Sequence, residues 1–312
     1  MSDLTKFFPG DVIVSAKHLS KQYRGCLALN DVTLNIKKGQ LIGLVGKNGA
    51  GKTTLIRLLT GVARPTTGHI SVFGSKTQKE MEANLSRVAA MIEQPALYEN
   101  MTATENLMTA CILNGVEDPM KGYISDKFNF VGLPDSYLDK RPVKNYSLGM
   151  RQRVGIAMAM IGDPELMILD EPTNGLDPEG IRQIRELLLK LNKEKGVTII
   201  VSSHILSELS KFASSYIFID KGRFIEEISA VELESKVGKV LIVKTGDNAK
   251  AQEILLAANF DSEIVKDSIY IHNIKEPAEV LNVLSKNAIT LLGLKEEENS
   301  LEDYFVDVVG GK

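Results

Sequence analysis

Cysteine and tryptophan are scarce in this sequence, whose 312 residues include two cysteines, Cys26 and Cys111, and no tryptophan. Two thiols cannot build the disulfide framework of a small secreted domain, so the composition favours a reducing compartment. No run approaches the roughly 18 consecutive apolar residues of a membrane helix, and the first residues lack a basic segment followed by an apolar one. We therefore expect any contact with a membrane to be made through a partner.

An excess of charge of either sign is also missing, because 37 basic side chains face 40 acidic ones and the net charge is −3. Bulk electrostatics thus give no reason to expect a nucleic-acid partner. The histidines and cysteines form no cluster with the spacing of a zinc site. Any anion-binding site would therefore depend on a local arrangement of residues and not on the net charge of the chain.

The length predicts about two domains, at roughly 150 residues each. Alternating apolar and polar residues over 12–36 predict antiparallel strands, with the KQYRG segment between them as a turn. Short apolar runs at 40–46, 166–170 and 197–203 are typical of buried parallel strands. A helix is predicted over 181–193, and a hairpin that turns at Lys221 and Gly222.

The rest of the chain divides at a change of character near residue 228. Residues 95–158 are predicted to be mostly helical, with Thr104 or Asn100 as an N-cap. After residue 228 the pattern becomes βαββαβα. We therefore predict a main domain over 1–227, with a helical subdomain at about 95–158, and a small α+β accessory domain over 228–312.

A phosphate-binding motif follows the first buried run. Residues 46–53 are GKNGAGKT, which matches G-x-x-x-x-G-K-[ST] between a predicted strand and a predicted helix. Glycines let the backbone curl so that successive N–H groups and the helix N-terminus face phosphates. Lys52 would reach the β and γ phosphates, Thr53 would hold Mg²⁺, and Thr54 is a further donor. The remaining candidate phosphate-binding residues are Gly46, Asn48, Gly49, Ala50 and Gly51.

A second strand, LMILD, ends in Asp170 and resembles the second Walker motif. An acidic residue at the carboxyl end of such a strand can hold a metal ion near the phosphate loop. Glu171 follows directly and is a candidate general base for the attacking water. The sequence therefore predicts nucleotide hydrolysis with Mg²⁺.

These motifs and their order over residues 12–227 resemble the ATP-binding cassette (ABC) ATPases. The resemblance implies an α/β P-loop NTPase fold, with a RecA-like core, an antiparallel β subdomain and a helical subdomain. It assigns adenine stacking to Tyr23, contact with the metal and the attacking water to Gln94, and the role of switch histidine to His204. In the segment YSLGM at 146–150, here called the signature segment, Ser147 and Gly149 match positions that contact the nucleotide of an opposite subunit. Asp177 matches the loop that couples the two nucleotide sites. Tyr146, Leu148 and Met150 depart from the pattern, and Leu148 replaces its first glycine.

The resemblance further implies two copies packed head to tail around two MgATP, with neither copy completing a site alone. Glu171 would polarise water, Lys52 and His204 would stabilise the developing charge, and Asp170 and Gln94 would organise the metal. The ending SLEDYFVDVV is similar to ATPase subunits of bacterial drug, bacitracin-type and lantibiotic-type exporters. We therefore expect a separately encoded membrane permease and a peripheral location on the cytoplasmic face of the membrane.

Other members of the same family remain alternatives. Some importer ATPases carry a small C-terminal domain that senses solute, and the pattern after residue 236 permits that. Soluble ABC ATPases that act on ribosomes or DNA usually have two cassettes or long coiled coils, and the single phosphate loop and the short stretch between Thr53 and Ser147 argue against both. A nucleotide-binding regulator without turnover is a further alternative, which the presence of Glu171 and His204 disfavours.

Overall fold

Three β-sheets are formed by the described residues of the computed structural model. The structure describes residues 8, 10–116, 122–237, 239–271, 274, 276–298 and 301–310. The chain divides into two units, Met1–Ile228 and Ser229–Lys312. None of the helices in the described part of the chain is long and apolar enough to cross a bilayer.

The first unit contains nine strands and seven α-helices among the described residues. The strands are β1 Val12–Tyr23, β2 Cys26–Lys37, β3 Leu41–Val45, β4 Thr67–Val72, β5 Val88–Met91, β6 Leu166–Asp170, β7 Thr198–Ser203, β8 Ser215–Asp220 and β9 Arg223–Ser229. The helices are α1 Lys52–Leu59, α2 Gln78–Asn84, α3 Ala103–Leu113, α4 Tyr123–Phe130, α5 Leu148–Ala159, α6 Pro178–Lys195 and α7 Leu206–Leu209. Short 3₁₀ helices cover Leu85–Arg87, Pro134–Tyr137 and Val143–Asn145.

The antiparallel sheet of the first unit has the strand order β2-β1-β4. The predicted pairing of β1 with β2 is confirmed, with Val14 opposite Ile36 and Tyr23 opposite Cys26. The turn is shorter than KQYRG, because Lys21–Tyr23 pair within the strands and only Arg24 and Gly25 connect them. Strand pairing extends to the tip because Gly25, at φ 76°, allows a tight reversal.

The six-stranded sheet has the order β5-β6-β7-β3-β8-β9, and β5, β6, β7, β3 and β8 pair in parallel. All residues of β3, β6 and β7 are buried, as expected of strands covered on both faces. Val45 lies opposite Ser203 and Asp170 opposite Ser202. The carboxyl ends of the predicted strands therefore meet at one edge, where the loops that follow them converge.

Helix α6 shows how sequence signals fix the helices around this sheet. Asp177 caps it by accepting from the backbone N–H of Gly180, Pro178 occupies its first turn, and Gly196 ends it at φ 66°. The predicted helix is thus confirmed and is longer than 181–193 at both ends. Its buried face consists of Ile184, Leu187, Leu188 and Leu191.

The predicted helical region is confirmed as α3, α4, α5 and two 3₁₀ turns. The N-cap of α3 is Thr102, so the prediction of Thr104 or Asn100 was wrong. Thr102 and Glu105 form a capping box, in which each side chain accepts from the other residue's backbone N–H. The capping box satisfies two backbone N–H donors, those of Thr102 and Glu105. Neither predicted cap offers this.

The second unit contains α8 Ala230–Val237, β10 Lys239–Thr245, α9 Asn248–Ala257, β11 Ser262–Val265, β12 Ser268–Ile271, α10 Pro277–Lys286, β13 Leu291–Glu298 and α11 Leu301–Gly310. The βαββαβα order from β10 onward is as predicted. The strand order β11-β12-β10-β13 with antiparallel pairing is a ferredoxin-like arrangement. Apolar side chains from β10, β12, α9 and α10 form its core, namely Leu241, Val243, Ile269, Ile271, Ala251, Leu255, Val280 and Leu284.

Candidate nucleotide site

The loop between β3 and α1 is held in a tight curl by glycine. A Cβ atom at Gly46 would lie 2.5 Å from the carbonyl oxygen of Ile219. Gly51 has φ 107°, and a Cβ there would lie 2.8 Å from the carbonyl oxygen of Ala28. The β8–β9 hairpin, which turns at Lys221 and Gly222 as predicted, supports the loop because Gly222 N–H donates to Ala50 O at 2.9 Å. Larger residues at 46 and 51 would break the curl.

Lys52 stands at the first residue of α1 and is 6% exposed. Its ammonium group donates to the carbonyl oxygen of Gly46 at 2.7 Å and lies 3.5 Å from Oε1 of Glu171. A buried cation at the N-terminus of a helix creates a strongly positive environment. The arrangement suits a polyphosphate.

Thr53 and Asp170 lie together, as the sequence predicts for a metal site. The Thr53 hydroxyl donates to Oδ2 of Asp170 at 2.8 Å, and Ser202 donates to Oδ1 at 2.5 Å. No group of three or more acidic, histidine or cysteine side chains suited to a metal occurs among the described residues. One carboxylate and one hydroxyl fit Mg²⁺, which keeps waters and takes further oxygens from substrate phosphates.

Glu171 lies between two groups that could stabilise charge. Its Oε2 is 2.7 Å from Nδ1 of His204, while its Oε1 faces Lys52. Its backbone has φ 51°, and its N–H donates to the Ser202 hydroxyl at 2.9 Å. A left-handed glutamate is uncommon and often marks a functional site. Ser202 therefore orients both Asp170 and Glu171.

These side chains face one cavity of about 820 Å³, a volume within the usual range of ligand pockets. The predicted site residues that line it are Asn48, Gly49, Ala50, Gly51, Lys52, Thr53, Thr54, Gln94, Asp170, Glu171 and His204. The predicted residues outside the lining are Tyr23, Gly46, Ser147, Gly149 and Asp177. The structure thus brings together the predicted phosphate, metal and hydrolysis residues.

Tyr23 lies at the end of β1, 40% exposed, with the Lys21 ammonium 5.0 Å from its ring centre. The strand that pairs with it contributes Cys26, Leu27 and Ala28 to the cavity wall. Adenine stacking by Tyr23 remains a prediction.

The signature segment forms the start of α5. The Ser147 hydroxyl caps this helix by accepting from Met150 N–H at 3.2 Å. Leu148 lines the cavity, and its Cδ2 would lie 3.3 Å from a Cβ at Gly175. The carboxylate of Asp177 caps α6. The nucleotide contacts predicted for Ser147, Gly149 and Asp177 remain predictions.

The chain before Ser147 is fixed by a small polar network. Arg141 donates two side-chain hydrogen bonds to Oδ2 of Asp139, and the Tyr146 hydroxyl donates to the same oxygen at 3.0 Å. The Arg141 side chain lowers the pKa of Asp139 to about 2. Burial raises the pKa of the Tyr146 phenol. This network anchors the entry into α5.

Ser202, which holds Asp170 and Glu171 from outside the lining, and several residues that line the cavity were not predicted as site residues. Ser202 lies in the VSSHIL run and could have been found, because it pairs with Asp170 near the carboxyl end of β7. Gln152 follows the signature segment on α5 and carried no separate signal. The backbone of 26–28 and the 221–222 turn reach the cavity through tertiary packing alone.

A glycine loop between a buried parallel strand and a helix, facing an Asp-Glu pair at the end of another parallel strand of the same sheet, defines a P-loop ATPase. The family model for ABC transporters matches residues 29–174. The bacitracin transport ATP-binding protein BcrA of Bacillus licheniformis is 39% identical over 96% of this chain and 98% of its own length. The lantibiotic transport ATP-binding protein SrtF of Streptococcus pyogenes is 42% identical over 69% of this chain and 90% of its own.

Among solved structures, an ATP-binding cassette crystallised as a dimer in a post-hydrolysis state with ADP and phosphate is 26% identical, with a TM-score of 0.62. It covers 70% of this chain, which in turn covers 98% of that structure's chain. The chain belongs to the ABC transporter family, as one of its ATP-binding ATPases. The predicted P-loop NTPase fold and ATPase activity are thereby confirmed.

Proposed function

We propose that this chain hydrolyses MgATP as a head-to-tail dimer on the cytoplasmic face of the membrane, and drives export of antimicrobial peptides through a separately encoded permease. The support for this substrate class is the likeness to two proteins named for bacitracin and lantibiotic transport. The bacitracin protein matches this chain along nearly its whole length, including the second unit.

The observation that carries the hydrolytic mechanism is the placement of the Glu171 carboxylate between Lys52 and His204. A carboxylate that faces the phosphate loop can accept a proton from water attacking the γ-phosphate. Lys52 and His204 stabilise the negative charge that develops on the phosphoryl oxygens. Water, base and stabilising groups then share one cavity.

Thr53, Asp170 and Gln94 would hold Mg²⁺, together with phosphate oxygens. Bound there, it would supply neutralisation of phosphate charge and polarisation of the γ-phosphate. The close hydroxyl-carboxylate pair of Thr53 and Asp170 supports the proposal, because both supply the oxygen donors that Mg²⁺ prefers.

The dimer is supported by residues that do not reach their own cavity. Ser147 and Gly149 lie at the N-terminus of α5, and neither is among the described residues that line the cavity of this chain. In the proposed dimer they contact the γ-phosphate held by the partner, and Asp177 links the two sites. The solved cassette that crystallised as a dimer supports this arrangement. Hydrolysis removes the γ-phosphate bridge, and the dimer opens.

Replacing Glu171→Gln tests this mechanism. The amide keeps the shape of the side chain but cannot accept the proton, so turnover should fall by about 10² to 10⁴-fold. ATP binding should remain, and an ATP-dependent dimer should accumulate, as measured by phosphate release and by light scattering after gel filtration. Glu186→Gln on the exposed face of α6 is the control and should change neither measurement. Full turnover by the Glu171 variant would remove Glu171 from its role.

Export is tested separately in cells that express the chain with its co-purifying membrane subunit. Resistance to bacitracin or to a lantibiotic should require both proteins and should be lost with Glu171→Gln. Resistance that survives this substitution would contradict an ATP-driven exporter.

A further inference from the structure

Gln152 is a buried polar residue that the mechanism above does not use. It lies on α5, is 3% exposed, and belongs to the wall of the nucleotide cavity. Its Oε1 has no hydrogen-bond partner among the described residues. A buried acceptor without a donor costs free energy, so it calls for a functional explanation.

The packing of α5 places Gln152 between two loops of the site. One turn earlier, Leu148 packs against Gly175 in the loop after β6. Three residues later, Gly155 packs so closely that a Cβ there would lie 2.6 Å from Cβ of Pro95. Residues three and four apart share a helix face. Gln152 is therefore on the face that contacts the loop containing Gln94.

The cavity wall contains several side-chain donors, among which Gln94 directly precedes Pro95, the residue that α5 contacts at Gly155. Glu93, Asp170 and Glu171 are acceptors when ionised, whereas Gln94 carries an amide N–H₂ group. If Gln94 holds Mg²⁺ as proposed, its carbonyl oxygen would be the atom that faces the ion, and its Nε2 would need an acceptor. Metal ligands are commonly held in place by such outer hydrogen bonds.

We propose that Gln152 is a positioning residue for Gln94, an inference that rests on the proposed function. With MgATP in the cavity, Oε1 of Gln152 accepts a hydrogen bond from Nε2 of Gln94 and aims the Gln94 carbonyl at the metal and the attacking water. The hydrogen bond ties the signature helix α5 to the Gln94 loop only in the loaded state. Asn174 lines the same cavity and precedes Gly175, which Leu148 of α5 contacts, so it is the competing donor.

The substitution Gln152→Met tests this proposal, since it keeps the length of the side chain and removes the acceptor. The melting temperature of the nucleotide-free protein should stay the same or rise, because an unpaired buried acceptor is removed. The kcat for ATP hydrolysis should fall about tenfold with KM for ATP within about twofold, a size typical of outer-shell partners. Gln78→Met on the exposed face of α2 is the matched control and should change nothing.

A double-mutant cycle separates positioning from packing. In a Gln94→Met background, Gln152→Met should lower the single-turnover rate of phosphate release less than about twofold, because the donor is already gone. In an Asn174→Ala background, by contrast, Gln152→Met should lower the rate as much as it does in the wild-type protein. Equal losses with and without Gln94 would overturn the proposal, as would an unchanged kcat or a lower melting temperature of the nucleotide-free Gln152→Met protein.

Wild type and Lys52→Ala are assayed beside these variants. Wild-type turnover no higher than that of Lys52→Ala would refute the proposed function itself. Normal wild-type turnover with additive losses in the cycle would refute only the role of Gln152.

Discussion

The two units differ in what they bury. Met1–Ile228 buries charged and polar side chains at several places, including Lys52, Asp170 and Gln152, whereas the buried polar residues described in Ser229–Lys312 are Thr245 and Ser262, and neither is charged. Burying a charge costs free energy unless partners compensate it. The first unit buries charged groups where its strands converge on the cavity. The second unit has an almost purely apolar core. Chemistry is therefore concentrated in the first unit.

Within the first unit, the buried cations also differ from one another. The Arg87 guanidinium lies 2.6 Å from Glu165, and Lys127 lies 2.6 Å from Asp163. The Lys52 ammonium instead has backbone carbonyls and a carboxylate at 3.5 Å. Arg87 and Lys127 are thus neutralised by close partners, while Lys52 retains positive charge toward the cavity. This contrast indicates which buried cation serves the ligand.

The substitution Lys52→Ala should have the largest effect. It removes the cation and the hydrogen bonds that we propose it donates to phosphate, so ATP affinity should fall about 10 to 100-fold and turnover at least about 100-fold. Calorimetric titration with MgATP and a phosphate-release assay measure the two losses. Lys47→Ala removes the same charge from an exposed position of the same loop and should cost only a few-fold. Unchanged ATP binding by Lys52→Ala would contradict the role of the lysine.

The substitution Ile269→Ala tests whether the core of the second unit can be weakened without affecting the cavity of the first unit. Ile269 is fully buried in β12, so its truncation should destabilise the fold of that unit by about 2–5 kcal/mol. We expect the unfolding transition in calorimetry to move to a lower temperature, while the rate of ATP hydrolysis at 25 °C stays within about twofold of the wild-type rate. Ile264→Ala, at a 40% exposed residue paired with Ile269, should shift the transition far less. Parallel loss of hydrolysis in Ile269→Ala would show that the second unit supports the cavity.

The part of the site whose residues are adjacent in the chain can be predicted from the sequence. The phosphate loop could be predicted because its glycines, Lys52 and Thr53 are adjacent in sequence. Asp170 and Glu171 could be placed beside it because buried parallel strands end at one edge of a sheet. The convergence of β3, β6 and β7 confirms that expectation.

The remaining features depend on packing between distant segments. Nothing in the sequence distinguishes Gln152 from an exposed glutamine of a helix, because its burial results from α5 packing on the loop near Pro95. Residues 26–28 reach the cavity as backbone of a strand tip. The sequence does not single out the capping box at Thr102, since Asn100 and Thr104 offer competing caps within four residues.

The smallest predicted effect concerns the polar network before the signature segment, where Arg141 is exposed and Tyr146 is buried. Arg141 holds the pKa of Asp139 at about 2, below the value of about 3.9 in an unfolded chain, so the carboxylate stabilises the fold above pH 4. This contribution is lost as the pH falls from about 4 towards 2. Asp139→Asn should therefore lower the melting temperature by about 1–2 °C at pH 7 and by progressively less below pH 4. Asp135→Asn, at an exposed residue of the preceding 3₁₀ turn, serves as the control in the same thermal scans. A deficit of Asp139→Asn that grows on acidification would show that the ionised carboxylate is not what anchors the entry into α5.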